Sequence, residues 1–267
     1  MSVQTLYTAA TGMEALQQKL DVIANNLANV NTTGFKRDRC NFEDLFYRTE
    51  AMPGIQDASG QYTPVGIQTG LGAKVQSTQA DQTQGAFQQT NQPLDVAIQG
   101  NGYLQVTDPT GQILYTRAGN LSVNANGQLV VGDATVGRLL DPAISIPPTA
   151  TSVSIGSNGT VSVVEAGSTT MQQVGVVQLA KFINPQGLLA LGGNLFSQTD
   201  ASGAPTQGVP GTNGLGSIQQ GSLEASNVEP VNELIDLITT QRSFELNSQA
   251  VQAGDQIMQD ITNLRRG

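Results

Sequence analysis

With 267 residues, the chain is long enough for one or two domains with a hydrophobic core. Charged residues make up only 12% of it, and histidine is absent, which excludes zinc sites and catalytic triads built on histidine. The net charge of −9 comes without a basic stripe, so nucleic-acid binding is not expected.

The N-terminal segment predicts a long amphipathic helix. From Val3 onward, apolar residues recur in steps of three and four, which places them on one helical stripe. They are Leu6, Ala10, Met13, Leu16, Leu20, Ile23, Leu27 and Val30. Gly34 and Phe35 are predicted to stop the helix as the left-handed residue and the contact residue of a Schellman motif.

Several asparagines precede this predicted stop, although Asn is a poor residue for a helix interior. They are Asn25, Asn26, Asn29 and Asn31. Two interpretations stay open: capping competition near a helix end, or amide hydrogen bonds between closely packed helices. The basic cluster that follows, Lys36, Arg37 and Arg39, is interpreted as a solvated or inter-subunit face rather than an anion site, because nearby carboxylates offset it.

The middle of the chain predicts short strands and turns. Residues 46–72 are rich in Gly, Pro, Gln and Thr, and they slightly favour an extended hairpin over a flexible linker. A β domain is predicted from Leu94, with hairpin turns at Asn126-Gly127 and Asn158-Gly159 and a strand at residues 144–146. The pattern indicates a mostly antiparallel barrel or sandwich.

A second helix is predicted from about Val228 to Leu264, with Ser226 or Asn227 as its cap and Pro230 in its first turn. Its apolar positions are Leu234, Ile235, Ile238, Val251, Ile257, Ile261 and Leu264. A long helix with an unburied stripe is marginal in water, so each terminal helix needs a partner. We expect the partners to be the other helix and copies of the same chain, which makes the two stripes a predicted assembly interface.

These elements together predict an α+β fold with paired terminal amphipathic helices, an extended β connecting region and a central all-β outer domain. The expected divisions are residues 1–40 and 226–267 for the helical domain, 41–93 and 192–225 for the connecting region, and 94–191 for the β domain.

No pattern in the sequence predicts chemistry, so no catalytic residue, metal site or cofactor is expected. The glycine-rich segments at residues 66–72 and 100–102 lack the strand–loop–helix context and the Lys-Ser/Thr pair of a phosphate loop. No apolar run reaches the ~20 residues of a membrane span. The N-terminus also lacks the basic and apolar regions of a signal peptide.

Motifs at both ends and in the middle of the chain resemble those of the bacterial flagellar basal-body rod and hook protein family. They are LYTAATGM at residues 6–13, ANNLANVNTTGFK at 24–36, DVAIQGNGY at 95–103, SNVE at 226–229 and QRSFE at 241–245. The resemblance covers essentially the whole chain. Within the family, the length and the insert at residues 42–72 are most similar to distal rod members, with proximal rod and hook-type subunits as the nearest alternatives.

The resemblance implies a structural subunit that polymerises into a rigid helical tube and transmits torque from motor to hook. It implies several partners: further copies of the chain, proximal rod and hook subunits, the surrounding outer-membrane and peptidoglycan ring proteins, the rod cap and the export apparatus. It also implies location in the basal-body rod across the periplasm, after export without a cleaved signal peptide. A competing hypothesis of another class is a secreted β-rich binding module on a helical stalk.

Overall fold

The computed structural model describes residues 2–54, 56, 61, 62, 64–132, 137–168 and 170–264. Two long helices flank a series of short strands, so the α+β class is confirmed. The helices are α1 (Ser2–Ala28) and α2 (Pro230–Leu264). The strands are β1 (Asp38–Asp44), β2 (Tyr47–Ala51), β3 (Ile67–Gly70), β4 (Ala73–Ala80), β5 (Phe87–Gln89), β6 (Val96–Gln99), β7 (Tyr103–Thr107), β8 (Ile113–Thr116), β9 (Leu121–Val123), β10 (Leu129–Gly132), β11 (Gly137–Leu140), β12 (Ala150–Ile155), β13 (Thr160–Glu165), β14 (Met171–Val176), β15 (Leu179–Lys181), β16 (Leu189–Gly192), β17 (Leu195–Ser197), β18 (Thr206–Gly208), β19 (Ser217–Gln220) and β20 (Ser222–Glu224).

The chain separates into two compact units. The helical unit comprises Met1–Ala28, Asp38–Ala80 and Glu229–Gly267. It contains both helices and the two-stranded sheets β1–β4 and β2–β3. The β unit comprises Asn29–Arg37 and Asp81–Val228 and holds the remaining sheets. The finer three-part division of the chain stays a prediction.

The β unit is built on an antiparallel sheet of nine strands. Its main path runs β16-β17-β8-β7-β11-β10-β9, with β15 and β18 attached through β7, and the two end strands of the path do not pair with each other in the described residues. A three-stranded sheet, β12-β13-β14, lies in the same unit. Branched aliphatic side chains fill the core, with Leu104, Leu129 and Leu179 fully buried. Each such side chain contributes about 1.5–3 kcal/mol relative to an exposed position.

The hairpins predicted at the two Asn-Gly pairs are confirmed. In the first, β9 and β10 pair across a turn in which Gly127 has a φ of 78° and donates its N–H to Asn124 O. In the second, β12 pairs with β13 and Gly159 also has a φ of 78°. The strand predicted at residues 144–146 was wrong, since only Ser145 forms an isolated bridge there. Prolines on both sides of this segment lack the N–H that a longer ladder requires.

The position predicted for the end of α1 was also wrong. The helix ends at Ala28, so Val30 lies outside it and Gly34 and Phe35 do not form its stop. Gly34 does adopt the expected left-handed conformation, with a φ of 70°, but it donates its N–H to Glu224 O at 2.8 Å. A Cβ at this position would lie 2.8 Å from the Arg117 carbonyl carbon, so the close approach of two backbones requires glycine.

The start of α2 follows the prediction in part. Pro230 is the first helical residue, where its missing N–H has no cost. Neither candidate cap bonds to the helix: the Ser226 hydroxyl accepts the Val228 N–H, and the Asn227 amide oxygen accepts the Arg37 N–H at 2.7 Å. The Asn227 side chain is therefore occupied within the β unit, and the capping prediction was wrong.

The segment at residues 46–72 forms a hairpin where the structure describes it, with β2 paired antiparallel to β3. Its tip includes residues 55, 57–60 and 63, which lie outside the described residues, and the expectation for that part stays a prediction. The hairpin exposes large apolar side chains, with Phe46, Val65 and Ile67 all open to solvent. No described helix has the length and apolarity needed to cross a membrane.

Candidate functional site

The two terminal helices pack against each other in antiparallel orientation within the helical unit. Near the end of α1, Asn26 Nδ2 donates to Glu233 Oε2, in the first turn of α2, at 3.3 Å. Near the start of α1, Leu6 lies against Gly254, where a Cβ would come within 2.8 Å of Leu6 Cδ2. The predicted pairing of the terminal helices is therefore confirmed, and Gly254 permits the helices to approach closely.

The inward row of α2 mixes polar, small and apolar residues. Its members recur every three or four residues and are buried or half-buried: Glu233, Leu237, Thr240, Phe244, Asn247, Val251 and Gly254. Val251 was predicted as part of the apolar stripe, but the structure places it on this inward row. Three of its seven members are large apolar residues, and the contact between α1 and α2 leaves the aliphatic side chains of Leu234, Ile235 and Ile238 exposed.

The apolar stripe of α2 faces away from α1. At about 100° per residue, Leu234, Ile235 and Ile238 lie roughly opposite Glu233 and Thr240, and all three are exposed. Ile238 keeps 56% of its surface accessible. This arrangement leaves an apolar strip along the first turns of α2 that no described part of the chain covers.

The last turns of α2 are exposed for a different reason. Since Gly254 already contacts Leu6, only four described residues of α1 remain to run beside the rest of α2. The apolar side chains beyond this point are exposed: Ile257, Ile261 and Leu264. We define the outer face of α2 as Leu234, Ile235, Ile238, Ile257, Ile261 and Leu264.

The apolar stripe of α1 is more deeply buried within the helical unit than the outer face of α2. Ile23 is buried, with 4% of its surface accessible. Ala10 is exposed, and the remaining stripe residues on the helix are half-buried, namely Leu6, Met13, Leu16, Leu20 and Leu27. Val30 is half-buried as well, but it lies past the end of the helix in the β unit. The helix also packs against β1 and β4, which explains why its stripe is less exposed than the outer face of α2.

The asparagines near the end of α1 serve both of the roles that were left open. Asn26 is buried, and besides its bond to α2 it donates to Asp38 O at 2.8 Å and accepts the Asp38 N–H at 2.9 Å. It therefore ties α1 to both α2 and β1, as expected for an amide between packed elements. Asn29 instead accepts the Thr32 hydroxyl in the turn after the helix, which is the local capping role.

A buried ion network in the β unit was missed by the sequence analysis. Lys36 Nζ lies 2.7 Å from Glu224 Oε1, and Arg117 Nη1 lies 3.3 Å from Glu224 Oε2. None of the three residues exposes more than 5% of its surface. The prediction that Lys36 belongs to a solvated or inter-subunit face was wrong. No local pattern marks this network, because 188 residues separate Lys36 from its carboxylate partner.

Burial governs the electrostatics of this network. Loss of hydration lowers the pKa of Lys36, and the adjacent Glu224 carboxylate opposes that shift. Further hydrogen bonds complete the arrangement: Lys36 Nζ donates to Thr83 O at 2.7 Å, and Gly85 N donates to Glu224 Oε1 at 3.1 Å. The network anchors the segment after α1 within the β unit.

Comparisons with known proteins agree with the motifs at both ends. Three family models match: "Flagella basal body rod protein" over residues 6–36, "Flagellar hook protein FlgE/F/G D1 domain" over 97–163, and "Flagellar basal body rod FlgEFG protein C-terminal" over 219–264. The chain is 47% identical to a protein of Caulobacter vibrioides named "Flagellar basal-body rod protein FlgG", over 98% of this chain and 100% of that one. Proteins with the same name in Borreliella burgdorferi and Bacillus subtilis are 41% and 39% identical, each over 99% of this chain and at least 99% of the relative.

Proposed function

Because the chain belongs to the flagellar basal-body rod protein family and is a structural subunit of that rod, we propose that it builds the distal part of the rod. In this proposal, copies of the chain form a rigid helical tube across the periplasm that transmits torque from the motor to the hook. The role is mechanical and involves no catalytic step. The insert that carries β2 and β3 supports the distal position over a proximal one.

The observation that carries the proposal is the exposure of the outer face of α2. Aliphatic side chains at Ile235, Ile238 and Ile257 each keep more than half of their surface accessible, although burial of each would be favourable by about 1.5–3 kcal/mol. Helices in a stable monomer bury such a stripe. A stripe directed away from the chain's own helix pair instead suits contacts with other copies.

The contacts between copies would be heterologous. The outer face of α2 is exposed, whereas the stripe of α1 is already half-buried within the helical unit, so in this proposal the outer face of one copy meets a different surface on the next. Head-to-tail contacts of this kind build open helical filaments rather than closed oligomers. At its ends and sides, the tube would meet proximal rod and hook subunits, the ring proteins, the rod cap and the export apparatus.

Ile238→Asp tests the role of the outer face. The side chain is more than half exposed in the single chain, so the substitution is expected to change monomer stability by less than about 0.5 kcal/mol. A carboxylate buried without a partner in the tube would oppose assembly by several kcal/mol. Full-length Ile238→Asp should therefore remain a folded monomer in sedimentation and electron microscopy, whereas the wild type forms straight tubes.

Ile238→Leu provides the matched control, since it keeps the volume and the apolar character and should assemble normally. Leu20→Asp is a less informative variant, because Leu20 is half-buried inside the helical unit and its loss would disturb the monomer itself. Normal tubes from Ile238→Asp would contradict the role of the outer face, and a closed oligomer of fixed size from the wild type would contradict the rod.

A further inference from the structure

A cavity of about 250 Å³ opens in the β unit beside the buried ion network. Its lining includes Gln82, Tyr103, Arg117, Lys181 and Phe182. Tyr103 is held in place by a hydrogen bond from its hydroxyl to Gln82 Oε1 at 2.7 Å and by edge contact with Phe182, with ring centroids 5.9 Å apart. The polar wall of the cavity is thus supported by packed aromatic rings.

The positive charge at the cavity is only partly offset by described carboxylates, namely Glu224 and, through its interaction with Lys36, Asp81. Arg117 belongs to the network in which two cations share the single carboxylate of Glu224. Lys181 adds a second cation to the wall and forms no ion pair with a described residue, and no Asp or Glu lines the cavity. A surplus positive charge next to a partly enclosed space favours an anion there.

Arg117 also has an unused hydrogen-bond donor. Its Nη2 donates to Gly100 O at 2.8 Å, its Nη1 lies near Ile98 O and Glu224, and its guanidinium lies 5.4 Å from the centre of the Tyr103 ring. These contacts hold the group rigidly. Its Nε is buried and has no acceptor among the described residues, which normally costs about 1–3 kcal/mol.

We propose that this cavity receives the carboxylate of an acidic side chain from a neighbouring copy of the chain. Charge complementarity identifies the source, since the β unit has five basic and eight acidic residues, a net charge of −3, and so presents carboxylates to its neighbours. Asp200, for example, is exposed. The volume is sufficient, because a water molecule takes only about 30 Å³ of liquid. The inference rests on the proposed polymer.

Lys181→Gln tests the proposal in the full chain. It removes the charge while keeping a polar side chain at a position that is partly exposed, so the monomer should fold normally. The critical concentration for tube formation, measured by sedimentation, is expected to rise about tenfold. Lys181→Arg keeps the charge and should stay within about twofold of the wild type, as should Lys74→Gln, whose side chain is 55% exposed in the helical unit.

Three results would overturn the pocket contact. The first is Lys181→Gln assembling at the wild-type concentration, and the second is Lys181→Arg failing as Lys181→Gln does. The third combines two measurements: calorimetry shows that the Lys181→Gln monomer no longer binds acetate, while assembly is unchanged. That result would assign the cavity to a small free anion only. All three leave the rod proposal intact. Failure of the wild type to form tubes would instead refute the rod and, with it, this contact.

Discussion

Replacing Glu224 with Gln is expected to destabilise the β unit strongly, because the substitution removes the only carboxylate of the buried ion network. In the native chain this carboxylate lies 2.7 Å from Lys36 Nζ and 3.3 Å from Arg117 Nη1, and it accepts the Gly85 N–H at 3.1 Å. An amide has the same shape but no charge. The variant would leave Lys36 and Arg117 buried, with only the weaker interaction between Asp81 and Lys36 to offset their charge.

The magnitude follows from the burial of the partners. The side chains of Lys36 and Glu224 expose 1% and 0% of their surfaces, so solvent does little to screen the unpaired charges. Removing one partner of a buried ion pair costs about 3–5 kcal/mol. A unit of this size loses about 2–4 °C of melting temperature per kcal/mol, which gives a decrease of about 6–20 °C.

Lys36→Met is the informative comparison. It leaves Glu224 and Arg117 as a neutral pair, and it loses mainly the hydrogen bonds of Lys36 Nζ, at about 1–3 kcal/mol. Glu224→Gln should therefore cost more than Lys36→Met when both are measured by urea unfolding of the full-length monomer at pH 7. A cost for Glu224→Gln below about 1 kcal/mol, or the reverse order, would refute the view that the carboxylate neutralises a cationic interior.

Two further predictions concern the same unit. Burial raises the pKa of Tyr103 from 10.0 to about 12. The stability that the protonated hydroxyl contributes is therefore complete below pH 10 and is lost as the pH rises through 12. The free energy of unfolding decreases by about 3 kcal/mol in total over this range. At pH 8 the Tyr103→Phe variant should be about 1 kcal/mol less stable than the wild type, because it lacks the hydrogen bond to Gln82. Near pH 12 it should be more stable than the wild type. Unfolding curves that do not show this reversal would contradict the prediction. Gly34→Ala should lower the unfolding free energy by at least about 2 kcal/mol, since its Cβ would meet the Arg117 backbone as well as strain the left-handed φ. Gly111→Ala is the control, because Gly111 has a φ of 84° but open space around it, and this variant should lose only about 1 kcal/mol. Equal losses of stability for Gly34→Ala and Gly111→Ala in thermal melts would show that the clash at Gly34 is unimportant.

Local patterns were sufficient to predict the elements whose cause is local. The three-and-four spacing from Leu6 to Leu27 predicts α1, and the pattern from Leu234 to Leu264 predicts α2, since helical periodicity depends only on neighbouring turns. The Asn-Gly pairs predict their hairpins because a left-handed residue is needed within the turn itself. The same reasoning failed at Gly34, which was predicted to stop α1. Gly34 has the expected left-handed conformation, but glycine is needed there because the backbone of Arg117, 83 residues further along the chain, comes too close for a side chain.

Only the tertiary structure decides which face of each helix remains free. The apolar stripes of α1 and α2 look equivalent in the sequence, yet the α1 stripe is partly covered and the outer face of α2 is open. The difference arises because the row that contains Glu233 and Thr240 turns inward, where Asn26 of α1 donates to Glu233 and the Thr240 hydroxyl donates to Asp236 O of its own helix. The ion network around Glu224 is likewise a product of folding, because charges distant in sequence lose their water together and must compensate one another in the interior.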